Sequence, residues 1–470
     1  MKTVLNIAQL IVRFFRWNCH IWLPDYLQRM AAQGAGRKLG TEITDLIFVV
    51  VDHFEPSRKE GERGVQRVRE WCQAFADMAA RHRDSDGVAP QHSWFYRYDY
   101  PNDECVRILS EFVYKGFGEI DFHLHHGNDT PETFAETIRQ GVDWFNEFGA
   151  MRTAERSPQK RFAYIAGNWA LDNGRRDPAM SGVNTELSIL GDAGCYADYT
   201  FPAFSVDSQP RIVNSIYYAT DTPDPKSYDR GIPLRVGGSD SGDLVIFEGP
   251  LCIDWAQGYI EYAALESFTP YFRRRIDLWI KAGVGVVGRP EWVFVKLHTH
   301  GMQSREMFLG EQMEKLHSDL EELCATAGCR LHYVTAREAY NIAKAAEAGR
   351  NGDAGKYRDY EIARPVNRGF FSNARALVTT YAPERIVVEV TQPRSDTRML
   401  FAEHPLESLE GGRVTRVELA CSQGCIQELR IEGDGECRIG LRSRGNPTNE
   451  AIVASLPYSY CLPAERALGG

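Results

Sequence analysis

Eight short apolar runs divide residues 45–340 into a strict rhythm: "LIFVVVD" (46–52), "HSWFYRY" (92–98), "EIDFHLH" (119–125), "RFAYIAG" (161–167), "CYADYTF" (195–201), "LVIFEGP" (244–250), "WVFVKLH" (292–298) and "RLHYVTA" (330–336). Each is rich in β-branched and aromatic residues and too short for a helix, the pattern of a strand buried on both faces. Segments of helical period lie between them, notably 64–82, 103–114, 130–149, 183–193, 270–282 and 304–327. In the third of these, Thr130 stands as N-cap, Pro131 at the first helical position and acids in the first turn. Strands alternating with helices predict an α/β fold with a parallel sheet, and runs that are short and buried in character favour a (β/α)7–8 barrel over an open sheet.

The residues that end these runs carry chemistry. Asp52-His53, His123/His125/His126, Asn168-Trp169, Asp198 and His298/His300 all sit at C-terminal strand ends, where α/β barrels build their active sites. Six of the twelve histidines fall at three such ends, and "DFHLHHGNDT" (121–130) alone spends three within four positions. Crowded imidazoles with a nearby carboxylate and an open position predict a divalent metal, Zn²⁺ first and Co²⁺, Ni²⁺ or Mn²⁺ as substitutes. Such an ion lowers the pKa of water and polarises a carbonyl or phosphoryl oxygen.

Charge and cysteine usage narrow the class. A net charge of −10 argues against general nucleic-acid binding, which needs concentrated Lys and Arg. Eleven scattered cysteines, with close pairs Cys324/Cys329 and Cys421/Cys425 that lack zinc-finger spacing, fit free thiols in a reducing compartment.

The two ends of the chain read differently from its middle. Residues 1–40 carry six Lys/Arg against a single Asp25, whereas the remainder holds 48 against 63. With Phe14, Phe15, Trp17 and Trp22 beside Arg13 and Arg16, this segment reads either as a helix lying on an anionic membrane through residues 1–30 or as a helix docked on the protein's own body. Its central arginines speak against a spanning helix, and no cleavage site marks a signal peptide, so a cytoplasmic protein, peripheral at the inner membrane, is expected. Residues 41–343 form the expected barrel, 344–356 a Gly-rich linker, and 357–470 a smaller β-rich domain whose runs (385–390, 413–419, 426–431, 437–442) alternate as half-exposed strands.

The motifs "VVVDHFEP", "EIDFHLHHG" and "VKLHTHG" resemble, in order, those of the polysaccharide deacetylases with the NodB homology domain, carbohydrate esterase family four. The resemblance spans roughly residues 45–340; together with "GNWALDN", "GCYADYTFP" and "VNSIYYATD" it points to a branch associated with bacterial exopolysaccharide biosynthesis. It implies Asp52 as general base and places His53 where the family has a metal-binding Asp. His123 would bind metal with His125 or His126, because position 127 is Gly instead of the family's second His. His298, which ends its strand, would be the acid, with His300 as the other candidate. The family's Arg-containing third motif is missing. Glu55, Asn168, Trp169, Asp172, Asp198 and His300 stand as substrate contacts, the indole of Trp169 either stacking on a sugar or plugging the barrel mouth. The activity implied is removal of acetyl groups from a polysaccharide or lipid-linked sugar, with polysaccharide-assembly proteins as partners. A glycosidase or phosphoesterase on a similar barrel, or a non-catalytic scaffold in polysaccharide assembly, are the alternatives.

Overall fold

A computed structural model describes residues 7–33, 38–153, 159–442 and 450–462. Residues 1–6 and 34–37 of the N-terminal segment lie outside the described residues. The chain falls into two compact units. One comprises Met1–Cys105, Phe117–Val142 and Thr153–Ala363; the other comprises Val106–Gly116, Asp143–Arg152 and Arg364–Gly470.

The first unit is built on an eleven-stranded, mostly parallel sheet. Its parallel strands are β1 (Asp45–Phe54), β2 (His92–Arg97), β3 (Gly118–Leu124), β4 (Lys160–Ala166), β5 (Cys195–Asp198), β6 (Leu244–Glu248), β7 (Trp292–Thr299) and β8 (Arg330–Val334). They run in the order β7–β1–β2–β3–β4–β5–β6, with β8 also on β1; antiparallel strands Ser215–Ala219 and Ile232–Pro233 continue beyond β6. Each of the eight apolar runs overlaps one of these strands. Every residue of β1, β3 and β7 is buried; β1 and β7 are correspondingly apolar over most of their length, whereas β3 alternates Ile120, Phe122 and Leu124 with the buried polar Glu119, Asp121 and His123.

The fold is therefore mixed α/β with a parallel-dominated sheet, but strand ladders among the described residues do not close it into the expected barrel. Between β7 and the far edge lies the non-strand segment 284–287, tied by single backbone bonds: Phe294 N to Val284 O, Val287 N to Leu234 O and Val236 N to Val287 O, each 2.9 Å. The reason is local: Gly283 and Gly288 adopt φ of 64° and 86°, and Pro290 follows, so "GVGVVGRP" cannot run as a regular strand.

Residues 344–356, expected as a linker, lie in this first unit. Helix Ala336–Glu347 opens with a Thr335/Glu338 capping box and is buried along its length, and the Trp292 indole donates to Gly352 O. At the N-terminus, α1 (Ile7–Arg16) and α2 (Cys19–Gln33) divide the segment. Trp22 and Tyr26 of α2 are fully buried against Val213, Leu251 and Ile253, the docked arrangement. Among the described residues no helix is long and apolar enough to cross a membrane.

In the second unit, ten antiparallel strands between Phe370 and Cys461 form two five-stranded sheets. Their inward residues, among them Phe370, Val388, Met399, Leu409, Val417, Leu429 and Ile439, share one apolar core, so this β-rich part is a sandwich.

Candidate metal centre

Strand alternation builds the site. In the β1–β7 ladder Val51 pairs with His298 and Asp52 with Thr299, so His53 and His298 share one face while Asp52 points to the other. On the first face, the His53 ring centroid lies 5.0 Å from that of His123, 6.5 Å from His298 and 4.6 Å from His300, on which it stacks. The ligand atoms of His53, Glu55 and His300 lie within 4.8 Å of one another, as do those of Glu55, His123 and His125. Glu55 is common to both groups.

Three of these imidazoles are anchored through Nδ1. His123 donates to Ile165 O at 2.9 Å, His125 meets Asp99 Oδ1 at 3.1 Å, and His300 meets Glu266 Oε1 at 2.7 Å. Anchoring Nδ1 fixes the tautomer and leaves Nε2 as the ligand atom, the arrangement that orients metal-binding histidines. Glu266 is itself held by Ser304 and also accepts from the His300 amide.

The electrostatics fit a cation. Burial, with some offset from Glu55, leaves His123 below its ordinary range and hence neutral, so its Nε2 is an acceptor. That atom stands 3.1 Å from Glu55 Oε1, a second acceptor, and His125 Nε2 stands 3.4 Å from the same oxygen. Burial and the neighbouring His300 and His123 also hold His53 far below its usual value, and its Nε2 is buried without a protein partner. Burial opposes the charge of His125, yet Asp99 and Glu55 outweigh it and raise the group to about 9, so its Nε2 carries a proton toward Glu55 that a bound cation would have to displace. Burial disfavours ionised Glu55, but His123 and His125 together drive it well below the carboxylate range. The Glu55 carboxylate, the partnerless buried Nε2 of His53 and the acceptor Nε2 of His123, 3.1 Å from Glu55, match the donor set of a Zn²⁺-type ion.

Other expected residues fall elsewhere. Asp52 is absent from the cluster: its Oδ1 accepts from Gly301 N at 2.7 Å and its Oδ2 from His92 Nε2 at 2.9 Å, fully buried on the far face. A side chain at Gly301 would meet that carboxylate at 2.2 Å, so glycine is required beside His300. Of the two open alternatives on "HLHH", His125 joins the cluster. His126 turns away to Asp129 (2.9 Å) and Glu186 (3.3 Å), whose charges raise it to about 9 against its burial. Glu55 and His300, expected as substrate contacts, stand among the ligand atoms.

His298 lies on the site face with Nδ1 buried and without a protein partner, and its ring is 6.0 Å from Tyr262. Burial and the charges of Lys296 and His300 push it far below its ordinary value. Asn168 and Trp169 both adopt left-handed φ, 56° and 53°, which costs roughly 1–3 kcal/mol each. This backbone holds the indole 5.7 Å from both His53 and His300, with Nε1 buried and lacking a protein partner. Asp172 binds Ser227 N at 2.6 Å, and burial plus the charges of Glu186 and Asp221 push it up to about 8. Asp198 is spent on Thr200, 2.6 Å from its hydroxyl. Neither aspartate joins the histidine cluster.

Comparison with protein-family models and with curated proteins finds no match to this chain.

Proposed function

We propose that this protein is a metal-dependent hydrolase that removes acetyl groups from a bacterial polysaccharide or lipid-linked sugar. The observation that carries the reading is the convergence of Glu55 with His53, His123, His125 and His300, two of them buried imidazoles held neutral. These five side chains would hold the ion, and its Lewis acidity would polarise an ester or amide carbonyl and acidify water.

The chain's remaining groups divide the work. His298, across the same face, accepts or delivers a proton through its uncommitted Nδ1. Trp169 offers an apolar face beside the centre and orients a sugar ring. Asp52 acts as a positioning residue: by accepting from Gly301 N it fixes the turn that carries His300. This replaces the general-base role implied by the family motif, since its oxygens face away from the cluster. The bonds across segment 284–287 favour an imperfectly closed barrel of the deacetylase type, with the site at the C-terminal ends of its strands.

A phosphoesterase is the second reading, because His53 and Glu55, two residues apart at the C-terminal end of the first strand, both enter the ligand group. A screen of acetylated bacterial glycans with metal-loaded protein separates the readings. Acetate release without new reducing ends supports the deacetylase; reducing ends point to a glycosidase, and inorganic phosphate from a phosphorylated sugar to a phosphoesterase.

A further inference from the structure

The two helices of the basic N-terminal segment are buried to different extents. Helix α2 is an anchor, with Trp22 and Tyr26 in a closed apolar cluster and the Tyr26 hydroxyl accepting from Ile253 N at 3.0 Å. Helix α1 is not packed in the same way: Val12 is 65% and Phe15 60% exposed, and Arg13 and Arg16 beside them are exposed as well. The cluster that anchors α2 also contains Ile253 and Ile260 of the hairpin Cys252–Asp254/Tyr259–Glu261. The turn of that hairpin presents Trp255, 67% exposed, and the Tyr259 ring lies 5.8 Å from the exposed Phe272. Phe268, 76% exposed, follows on the next turn. Single exposed apolar residues are ordinary. Exposed aromatic residues on α1 and on the hairpin, both tied to one cluster through Phe14, Ile253 and Ile260, with exposed Phe268 and Phe272 following in the chain and two exposed arginines, Arg13 over the Trp17 ring and Arg16, are not.

This face adjoins the histidine centre. Aromatic rings lead from Trp17 to Phe204 (6.4 Å), from Phe204 to Tyr262 (4.6 Å) and from Tyr262 to His298 (6.0 Å). Phe268 stands two residues beyond Glu266, which holds His300.

We infer that α1, the Trp255 turn and the Phe268 turn dock on an anionic phospholipid bilayer and present the histidine centre to a lipid-linked saccharide. The chemistry is complementary on both counts: arginines attract acidic headgroups, and exposed Trp and Phe insert at the interfacial level. Docking stands independently of the reaction; the choice of substrate rests on the hydrolase reading above.

The test is flotation of the full chain with phosphatidylcholine vesicles, with and without phosphatidylglycerol. The expected result is binding to the anionic vesicles and little to the neutral ones. Arg13→Gln/Arg16→Gln should weaken partitioning roughly 25-fold, at about five-fold for each charge. Trp255→Ser/Phe268→Ser should weaken it at least about ten-fold. These side chains are exposed, so both variants should melt like the parent. His123→Ala should bind vesicles unchanged, which separates docking from the metal centre. No binding of the parent to anionic vesicles, or equal binding after both double substitutions, overturns the docking. The substrate half is read separately, by acetate release from a vesicle-borne acetylated glycolipid and from a soluble acetylated sugar. A higher kcat/KM on the vesicle-borne substrate, lost in the double arginine variant, supports it; equal values overturn it while leaving docking intact.

Discussion

Glu55 Oε1 and the Nε2 atom of His123 face each other at 3.1 Å, although the Nδ1–H of His123 already donates its hydrogen bond to the Ile165 carbonyl. Two acceptors at that distance repel unless a proton or a cation lies between them, and burial keeps the imidazole neutral. The groups behind the ligands therefore matter as much as the ligands. Asp99 orients His125 and Glu266 orients His300. Asp99→Asn and Glu266→Gln are each expected to weaken metal affinity by about 10–100-fold without removing a ligand. Competition titration with a chromophoric chelator reads this directly, and unchanged affinity in both variants contradicts the anchoring role.

His126 provides the internal control. It adjoins a ligand in sequence but is tied to Asp129 and Glu186. His126→Ala should keep full metal stoichiometry while losing roughly 1–3 kcal/mol of stability, because buried Glu186 loses a partner. Elemental analysis and denaturant melts on one preparation check both halves.

Asp52 and His298 should separate cleanly. His298→Ala is expected to lower turnover about 10²–10⁴-fold with metal retained. Asp52→Ala leaves the buried Gly301 amide and His92 without their acceptor and should cost roughly 1–3 kcal/mol of stability. If Asp52→Asn abolishes turnover in a fully folded, metal-replete protein with its pH profile altered, the positioning role is wrong and the base role stands.

Stability against pH has its own signature at the other end of β1. Burial disfavours charged Asp45, but His332, Arg330, Thr44 and the Ala354 amide outweigh this and hold it at about 2, below its ordinary 3.8. A depressed carboxylate stabilises the fold above its unfolded value and loses that contribution as pH falls from about 4 toward 2, roughly 2 kcal/mol in all. His332, raised by Asp45 and Asp86 against its burial, works in the opposite sense. Its contribution is full below its ordinary 6.5 and fades as pH rises through the raised value. Asp45→Asn should therefore flatten the acid limb of a stability–pH curve. An unchanged acid limb contradicts the assignment.

The legible and illegible parts of this protein follow from the range of the forces involved. The strands of the large sheet were readable because burial writes itself as short runs dense in β-branched and aromatic residues, even where, as in β3, buried polar residues alternate with them. The closing region was not, since Leu234–Val236 and Val284–Val287 meet through single bonds between irregular segments. At the site, the period of two along β1 already separates Asp52 from His53 and aligns His53 with Glu55. The family motif implies a base at Asp52, whereas the structure turns its carboxylate to Gly301 and His92 and brings Glu55 among the ligand atoms. Asp99 and Glu266 lie in loops, and only tertiary proximity ties them to His125 and His300. The N-terminal segment proved to be two things, a docked α2 and an outward α1, because a basic, aromatic composition does not say which helix finds a pocket.

The central claim is that Glu55 and the buried imidazoles hold one divalent ion. Its most direct measurement is metal stoichiometry by elemental analysis of the full chain reconstituted with Zn²⁺, beside Glu55→Gln and His123→Ala with melting curves recorded for each. The account predicts one ion per chain in the parent and loss of stoichiometric metal in both folded variants. An equal metal content in all three proteins, or none in the parent, contradicts it.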